Sequence, residues 1–440
     1  MENQNLKDYG ICIVTGFYTL DPSYSLVRIA EEQIKMLTQS GYKIKVIVER
    51  GLPDTELVGA WADSNVRIER IPPFNRDNDG MILDNYQKDV NELHEALREI
   101  LKGVKVVLTH DLIAMPAEIL LNLAMRKVAE ERPDIRFLHM IHSATSPSIR
   151  CSDENIRAII QQNFPNSLIL YPNNWDRKRV AINYHCPLDN VICVHHPIDI
   201  PEYLGFHELT KELVREKDLL NADVLAVYPA RLDRGKQVEY PIKIFAAIKR
   251  TGRSVRLVVM DFSSTGGDKV IYRDELKRLA REEGLDDKEI TFMSEWRSET
   301  NLHSPRQVVR DLMLISNLYI HSSTSETFSL TSQEAIICKN FLVLNHHFPP
   351  MRDIYGSKNI LYEPFGSAVN SLDGEDGSTI INIQNPKLHF ENIANRINYF
   401  IDNNPVLDEH RFIRQHRNLE YVFKKELEPL FFCQELKPLF

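Results

Sequence analysis

Two carboxylates with seven residues between them, Glu326 and Glu334, and two cations five positions apart, Arg231 and Lys236, are the side chains of this 440-residue sequence best suited to chemistry. Arg231 and Lys236 stand in the segment PARLDRGK, directly after the apolar run 224–228 and before a helical pattern. Two cations at a strand-to-helix turn suit a diphosphate, the guanidinium as a bidentate fork and the ammonium as a point charge. The plainer alternative is a pair of solvated surface cations. Glu326 and Glu334 stand in HSSTSETFSLTSQEAIICKNFLVLNHH, residues 321–347. There the β-like run 317–320 leads into a Ser/Thr-rich turn. Leu330, Ala335, Ile336 and Ile337 then fit a helix to about Lys339, and residues 341–344 read as a strand. A turn that opens a helix exposes unpaired N–H groups at the positive end of the dipole, and these attract phosphate or another anion.

These turns need a sheet behind them, and the hydrophobic pattern supplies two. The run 11–14 reads as a buried strand ending at Thr15 and Gly16; Leu26, Ile29, Ala30, Ile34 and Leu37 then follow helical spacing as far as Gly41, before a strand at 44–48. Strands at 66–71, 104–108, 137–141, 168–171 and 191–194 alternate with helices at 84–101, 114–131, 155–163 and 176–183. Such alternation predicts a parallel sheet with helices on both faces. Residues 195–201, HHPIDIP, contain two prolines and break the series, so the boundary falls at 198/199. Beyond it, strands at 224–228, 255–260 and 290–293 alternate with helices at 238–249, 269–283 and 305–314, the last with Pro305 in its first turn. The expected plan is α/β: an N-terminal Rossmann-like domain over 1–198, a C-terminal one over 199–405, and helices over 406–440 crossing back to the first. Phe412, Leu419, Tyr421, Val422 and Leu427 are available for their packing.

Composition excludes several classes of function. The chain is 43% hydrophobic and 26% charged, which fits globular domains. A net charge of −9 offers no general attraction to nucleic acid. Cys12, Cys151, Cys186, Cys193, Cys338 and Cys433 form no C-x-x-C pair and read as reduced, buried thiols. The polar start MENQNLKDYG and the lack of an 18-residue apolar run predict a cytoplasmic protein without a membrane span. Asp77-Asn78-Asp79 has a spacing that can bind a divalent metal, but it stands in a polar connection and reads as a loop; neither the pair His139 and His142 nor the pair His346 and His347 has further ligands at zinc spacing. No metal is expected. Trp175 before Arg177-Lys178-Arg179 opens an amphipathic helix, which leaves peripheral contact with anionic lipid open beside a simple solvated face.

Ligands of open parallel sheets bind beyond the carboxyl ends of the strands, where this sequence has Thr109-His110-Asp111, His142-Ser143 and the Arg231–Lys236 loop. In the second half, RLDRGKQVEYPIKIFAAI, VRLVVMD, ITFM and SETFSLTSQEAIICKNFLVL together resemble the donor-binding half of the retaining family 4 (group 1) glycosyltransferases, with VHHPIDIPEYL at the interdomain position. The resemblance implies the two-domain GT-B fold, with Rossmann-like domains facing a cleft. It implies a metal-independent hexosyltransferase with a nucleotide diphosphate sugar as co-substrate and no other cofactor. Arg231 and Lys236 would hold the diphosphate and stabilise the leaving group, Glu326 would meet the donor sugar or the reacting face, and Glu334 would accept from the ribose. Thr327, Phe328, Ser329 and Leu330 would offer backbone N–H groups to the donor. His142 matches a histidine that lines the sugar site, the alternative being a strand-end histidine satisfied by backbone.

The first turn departs from the glycine-rich pattern of the family, leaving only Gly16 able to approach a phosphate. Ser23, Tyr24 and Ser25 are the alternative contacts there, to acceptor or phosphate. No carboxylate in the N-terminal loops stands out as a nucleophile, so the expected attack is assisted by the leaving phosphate. The acceptor would be a sugar, a lipid-linked sugar or a protein, and self-association through the apolar tail 429–440 stays open. The rival readings are a GT-B sugar phosphorylase, a nucleotide-sugar epimerase and a non-catalytic binding protein on the same scaffold.

Overall fold

The computed structural model describes residues 6–74, 85–142, 151, 153–261, 267–297, 306–356, 358–370, 377–380 and 383–432. Asp77, Asn78, Asp79, Ser143, Pro305, Cys433 and the end of the tail lie outside them. The chain divides into two compact units, residues 1–199 with 417–440, and residues 200–416.

The first unit is built on seven strands, β1 (Asp8–Val14), β2 (Lys43–Glu49), β3 (Val66–Ile71), β4 (Val106–His110), β5 (Arg136–Met140), β6 (Ser167–Tyr171) and β7 (Val191–Cys193). Their order is β3-β2-β1-β4-β5-β6-β7, with every pairing parallel. Valine and isoleucine run almost unbroken through the central strands because both faces are covered. Alternation sends Ile11 and Ile13 into one core cluster and Cys12 and Val14 into the other. The helix Ser25–Gln39 buries Val27, Ala30, Ile34, Met36 and Leu37 against the first of these faces and is followed by Gly41, whose φ of +81° suits a residue without a Cβ.

The C-terminal segment completes that same face. Arg417 O accepts from Ile198 N at 2.7 Å, and Asn418 caps the turn Leu419–Val422 by accepting from Tyr421 N. Val422, Phe423, Leu427 and Leu430 enter the core, while Tyr42 donates to Glu428 at 2.6 Å and meets the rings of Phe423 and Phe431 edge-on. The helix Pro405–His416 stays with the second unit, although the sequence placed it with the crossing helices. Arg414 explains this: its buried guanidinium donates to the carbonyls of Leu219, Leu220 and Ala222.

The second unit repeats the plan with β8 (Val224–Pro229), β9 (Val255–Met260), β10 (Ile290–Phe292), β11 (Leu318–His321), β12 (Phe341–Asn345) and β13 (Ile360–Glu363). They run in parallel in the order β10-β9-β8-β11-β12-β13. β13, the helix Pro349–Tyr355, an antiparallel pair at Ser367–Asn370 and Gly377–Ile380, and the long helix Pro386–Asp402 occupy a region where the pattern had singled out no element. The two strand orders are those of two Rossmann-like, doubly wound domains.

Candidate functional site

In each sheet the strand order reverses once on either side of its first strand, between β1 and β4 and between β8 and β11. A doubly wound sheet opens its ligand crevice beyond the carboxyl ends at this reversal. In the second unit, the loops leaving β8 and β11 carry Arg231 and Lys236 on one side and Glu326 on the other, so topology brings together residues ninety positions apart.

Hydrogen bonds join the two loops. The Tyr228 hydroxyl donates to Lys236 O at 2.6 Å and shares a bond with Ser322 Oγ, while Gln237 Nε2 donates to Ser322 O at 2.6 Å. Thr324 N donates to Gly235 O at 2.8 Å. A Cβ on Gly235 would lie 3.2 Å from Thr324 Oγ1, so glycine lets the loops close up here. Gln237 takes the left-handed conformation at φ +49°, and its side-chain bond to Ser322 O helps hold that turn.

Lys236 Nζ lies 3.0 Å from Glu326 Oε2, with both side chains about a quarter exposed. The His321 imidazole and then Lys236 hold the Glu326 carboxyl down to about 2. At 3.9 Å from Oε2, His321 Nε2 is beyond normal hydrogen-bond length, so the lysine contact is the firmer of the two. Arg231 is not drawn into this pair: its exposed guanidinium faces Asp233 Oδ2 at 3.6 Å. Glu334, on the helix Leu330–Ile337, pairs instead with Arg306 at 2.5 Å. Ser329 stands before that helix in a left-handed conformation, φ +60°, with its hydroxyl bonded to Ser332 Oγ at 2.7 Å. Tyr355 OH donates to the carbonyls of Phe328 and Ser329, which fixes the turn from behind. Thr327, Phe328 and Leu330 are exposed around it. A cationic loop, a carboxylate and a helix N-terminus thus stand at one strand-end corner, an arrangement that can hold an anion joined to a polyol.

In the first unit, His142 N donates to Asp111 Oδ1 at 2.8 Å, and His142 Nδ1 meets His196 Nε2 at 3.1 Å. The rings of His142 and His196 stack at 4.8 Å, and His110 lies parallel to His142 at 6.2 Å. Burial lowers His110 to about 3 and His142 to about 4, so all but acid solutions leave both neutral. His139 belongs to the core, bonded to Thr109 Oγ1 and packed on Phe137 and Phe164. Asp111 follows β4 with its carboxyl raised by burial to about 6, and Glu118 lies against Gly16. The three-residue run Thr109-His110-Asp111 carried the signal for Asp111, whereas Glu118 looked like an ordinary helix residue. Arg306 and His321 were also missed, the first because its partner is twenty-eight positions away and the second because it resembles the end of a strand.

Trp175 is 93% exposed, with Lys178 and Arg179 exposed beside it. Among the described residues no helix is long and apolar enough to cross a membrane, and no group of three His, Cys, Asp or Glu residues is arranged to hold a metal ion.

Two doubly wound domains, the second with cations, a carboxylate and a helix N-terminus at one strand-end corner, define a Rossmann-like α/β protein. Residues 210–368 match the family model of the glycosyl transferases group 1, a span within the second unit that holds Arg231, Lys236, Glu326 and Glu334. The second unit therefore carries a group 1 glycosyltransferase domain, and the protein is a glycosyltransferase. No curated protein matches the chain. Among solved structures, a glycosyltransferase from Rickettsia africae is 14% identical, covering 97% of this chain and 100% of its own, with a TM-score of 0.36. Anabaena HepE in complex with UDP-glucose is also 14% identical, covering 96% and 98%, with a TM-score of 0.33. Sucrose-phosphate synthase from Thermosynechococcus elongatus is 13% identical over 96% and 98%, with a TM-score of 0.34.

Proposed function

We propose that the protein transfers a hexose from a nucleoside diphosphate sugar to an acceptor hydroxyl, with retention at the anomeric carbon and without a metal ion. The observation that carries this reading is the Lys236–Glu326 pair at the β8/β11 reversal, 3.0 Å apart on two loops bonded to one another. Donor binding exchanges partners there. Lys236 turns from Glu326 to the diphosphate, the exposed Arg231 joins it, and the released Glu326 carboxylate accepts hydroxyls of the sugar. N–H groups of Thr327, Phe328, Ser329 and Leu330 face the donor at the helix N-terminus. Glu334 gives up Arg306 for the ribose hydroxyls.

In the transfer step the bond from the anomeric carbon to the phosphate oxygen breaks, and its electron pair leaves with the nucleoside diphosphate. The acceptor oxygen bonds to that carbon on the same face, and its proton passes to the departing phosphate oxygen. Lys236 and Arg231 stabilise the charge that develops on the phosphate, the duty a divalent cation performs in other transferases. The acceptor, a sugar, a lipid-linked sugar or a protein, is received by the first unit, where burial keeps His142 neutral and able to hydrogen-bond a hydroxyl. Buried thiols such as Cys12, pushed up by burial, suit a reducing cytoplasm.

Incubation with UDP-, GDP- and ADP-sugars in the presence of a chelator, with the product anomer read by NMR, tests the reading. Retained configuration at undiminished rate is expected. An inverted product would remove the same-face mechanism, and a rate restored only by Mg²⁺ or Mn²⁺ would remove the metal-free one.

A further inference from the structure

Cys193 ends β7, and His195 stands two residues further along a backbone that is still extended, with Val194 N donating to Tyr171 O at 3.0 Å. Side chains two apart on such a backbone share a face. Val194 enters the core, which leaves Cys193 and His195 together on the other side, both part-exposed. Cys193 Sγ lies 3.7 Å from His195 Nε2, within reach of a hydrogen bond to sulfur. The far side of the ring is held by the C-terminal segment. There Glu426, on the π-helical turn Phe423–Leu427, accepts from His195 Nδ1 at 2.9 Å and from His195 N at 2.8 Å. A carboxylate that takes the Nδ1–H leaves the Nε2 lone pair facing the thiol, so Cys193 is the donor in its contact with His195. Nucleophile, base and orienting group stand in the order by which a weak thiol is activated. Burial, and next the Glu426 charge, raise the thiol against the pull of Arg177 and Arg417, so at rest it keeps its proton. The thiolate forms only as that proton crosses to His195, where Glu426 balances the imidazolium. Among the described residues no other cysteine is placed in this way: Cys12 and Cys151 are buried, and Cys186 and Cys338, though part-exposed, have no histidine bonded to sulfur.

We propose that Cys193 is a reactive thiol, served by His195 as base and by Glu426 as the group that orients the base, and that low-molecular-weight disulfides modify it to a mixed disulfide. The Cys193 proton passes to His195 Nε2, and the sulfur attacks one sulfur of the disulfide. The S–S bond breaks, its electron pair leaves with the second sulfur, and that thiolate takes the proton from His195. Cys193 is thereby oxidised to the mixed disulfide, and the departing half is reduced to a thiol. All three residues belong to the first unit, and the reaction does not depend on sugar transfer.

The full-length protein is incubated with glutathione disulfide near neutral pH, and the adduct at each cysteine is followed by peptide mass spectrometry. Cys193 is expected to be modified at least about tenfold faster than Cys186 or Cys338. His195→Ala should slow Cys193 by at least about tenfold, and added imidazole should restore part of the rate. Glu426→Gln should give a rate between those of the wild type and His195→Ala. A purely structural His195 would give the opposite sign, since removing its ring uncovers the sulfur. In the wild type alone, Cys193 that reacts no faster than Cys186 and Cys338 overturns the proposal, so the test stands even if a variant does not fold. An unchanged or raised rate in His195→Ala that melts as the wild type does would overturn it too, and a loss that imidazole leaves untouched counts against His195 as the base. Glu426→Gln at the wild-type rate would strike the orienting role.

Discussion

Glu334 is held by an arginine that no spacing rule pointed to. Arg306 reaches it at 2.5 Å, yet the arginine side chain is 88% exposed, so the pair is worth at most about 1 kcal/mol and yields readily to a better partner. Ribose hydroxyls are such a partner if Glu334 serves the nucleotide. Glu334→Gln should then weaken binding of whichever of UDP, GDP and ADP the wild type takes up by about tenfold in calorimetry, while leaving its 2′,3′-dideoxy analogue nearly unaffected. Equal losses for both ligands would mean that Glu334 acts on the fold and not on the ribose. The two glutamates were legible because their spacing lies within one turn and one helix. Arg306 was not, because another element delivers it from twenty-eight positions away, and His321, five positions before Glu326, was read only as the end of a strand. Arg231 shows the converse: its spacing from Lys236 was plain, but the side chain faces Asp233 and stands apart from the Lys236–Glu326 pair.

At the scale of elements, the alternation of Val/Ile-rich strands with amphipathic helices was readable because each period is local. What it could not show was where short or polar elements go. β13 reads ILYE, four residues with a glutamate buried at its end, and only pairing with β12 makes it a strand. The terminal turns were recognisable as helical, but their face was not, since Phe412 remains 43% exposed while Phe423 is fully buried. Phe423 touches the ring of Tyr42 and closes the core over β1 and β2. Its truncation should open a cavity the surrounding turns fill only partly. Phe423→Ala is expected to lower the stability of the first unit by about 3–5 kcal/mol in urea denaturation while the melting of the second unit is kept. A loss below about 1 kcal/mol would show that the returning segment packs loosely.

The whole molecule should be acid-sensitive, and mainly through its first unit. His110, His139 and His142 are buried in neutral form with values brought down to about 3, 3 and 4, whereas an unfolded histidine titrates near 6.5. Between those limits the unfolded chain binds protons that these three histidines refuse when folded, so their contribution to stability falls as pH falls from about 6.5 toward 4, while Asp111 and Glu32, both raised to about 6 by burial, work the other way. The slope is about 1.4 kcal/mol per pH unit for each proton so taken up. Glu326, held at about 2, adds its share only below about pH 4.5, where unfolded carboxylates begin to protonate. Melting temperatures across this range, compared with those of His139→Phe, should show a shallower acid slope in the variant. Parallel curves would remove His139 from the account.

If Lys236 exchanges Glu326 for a diphosphate at the β8/β11 reversal, Lys236→Ala removes that exchange, and turnover and binding with a nucleoside diphosphate sugar report it. The expected result is a fall in kcat/KM of about 10²–10³ with clearly weakened donor binding, in a protein whose melting temperature stays close to the wild type. Transfer rate and donor affinity both unchanged would contradict the claim.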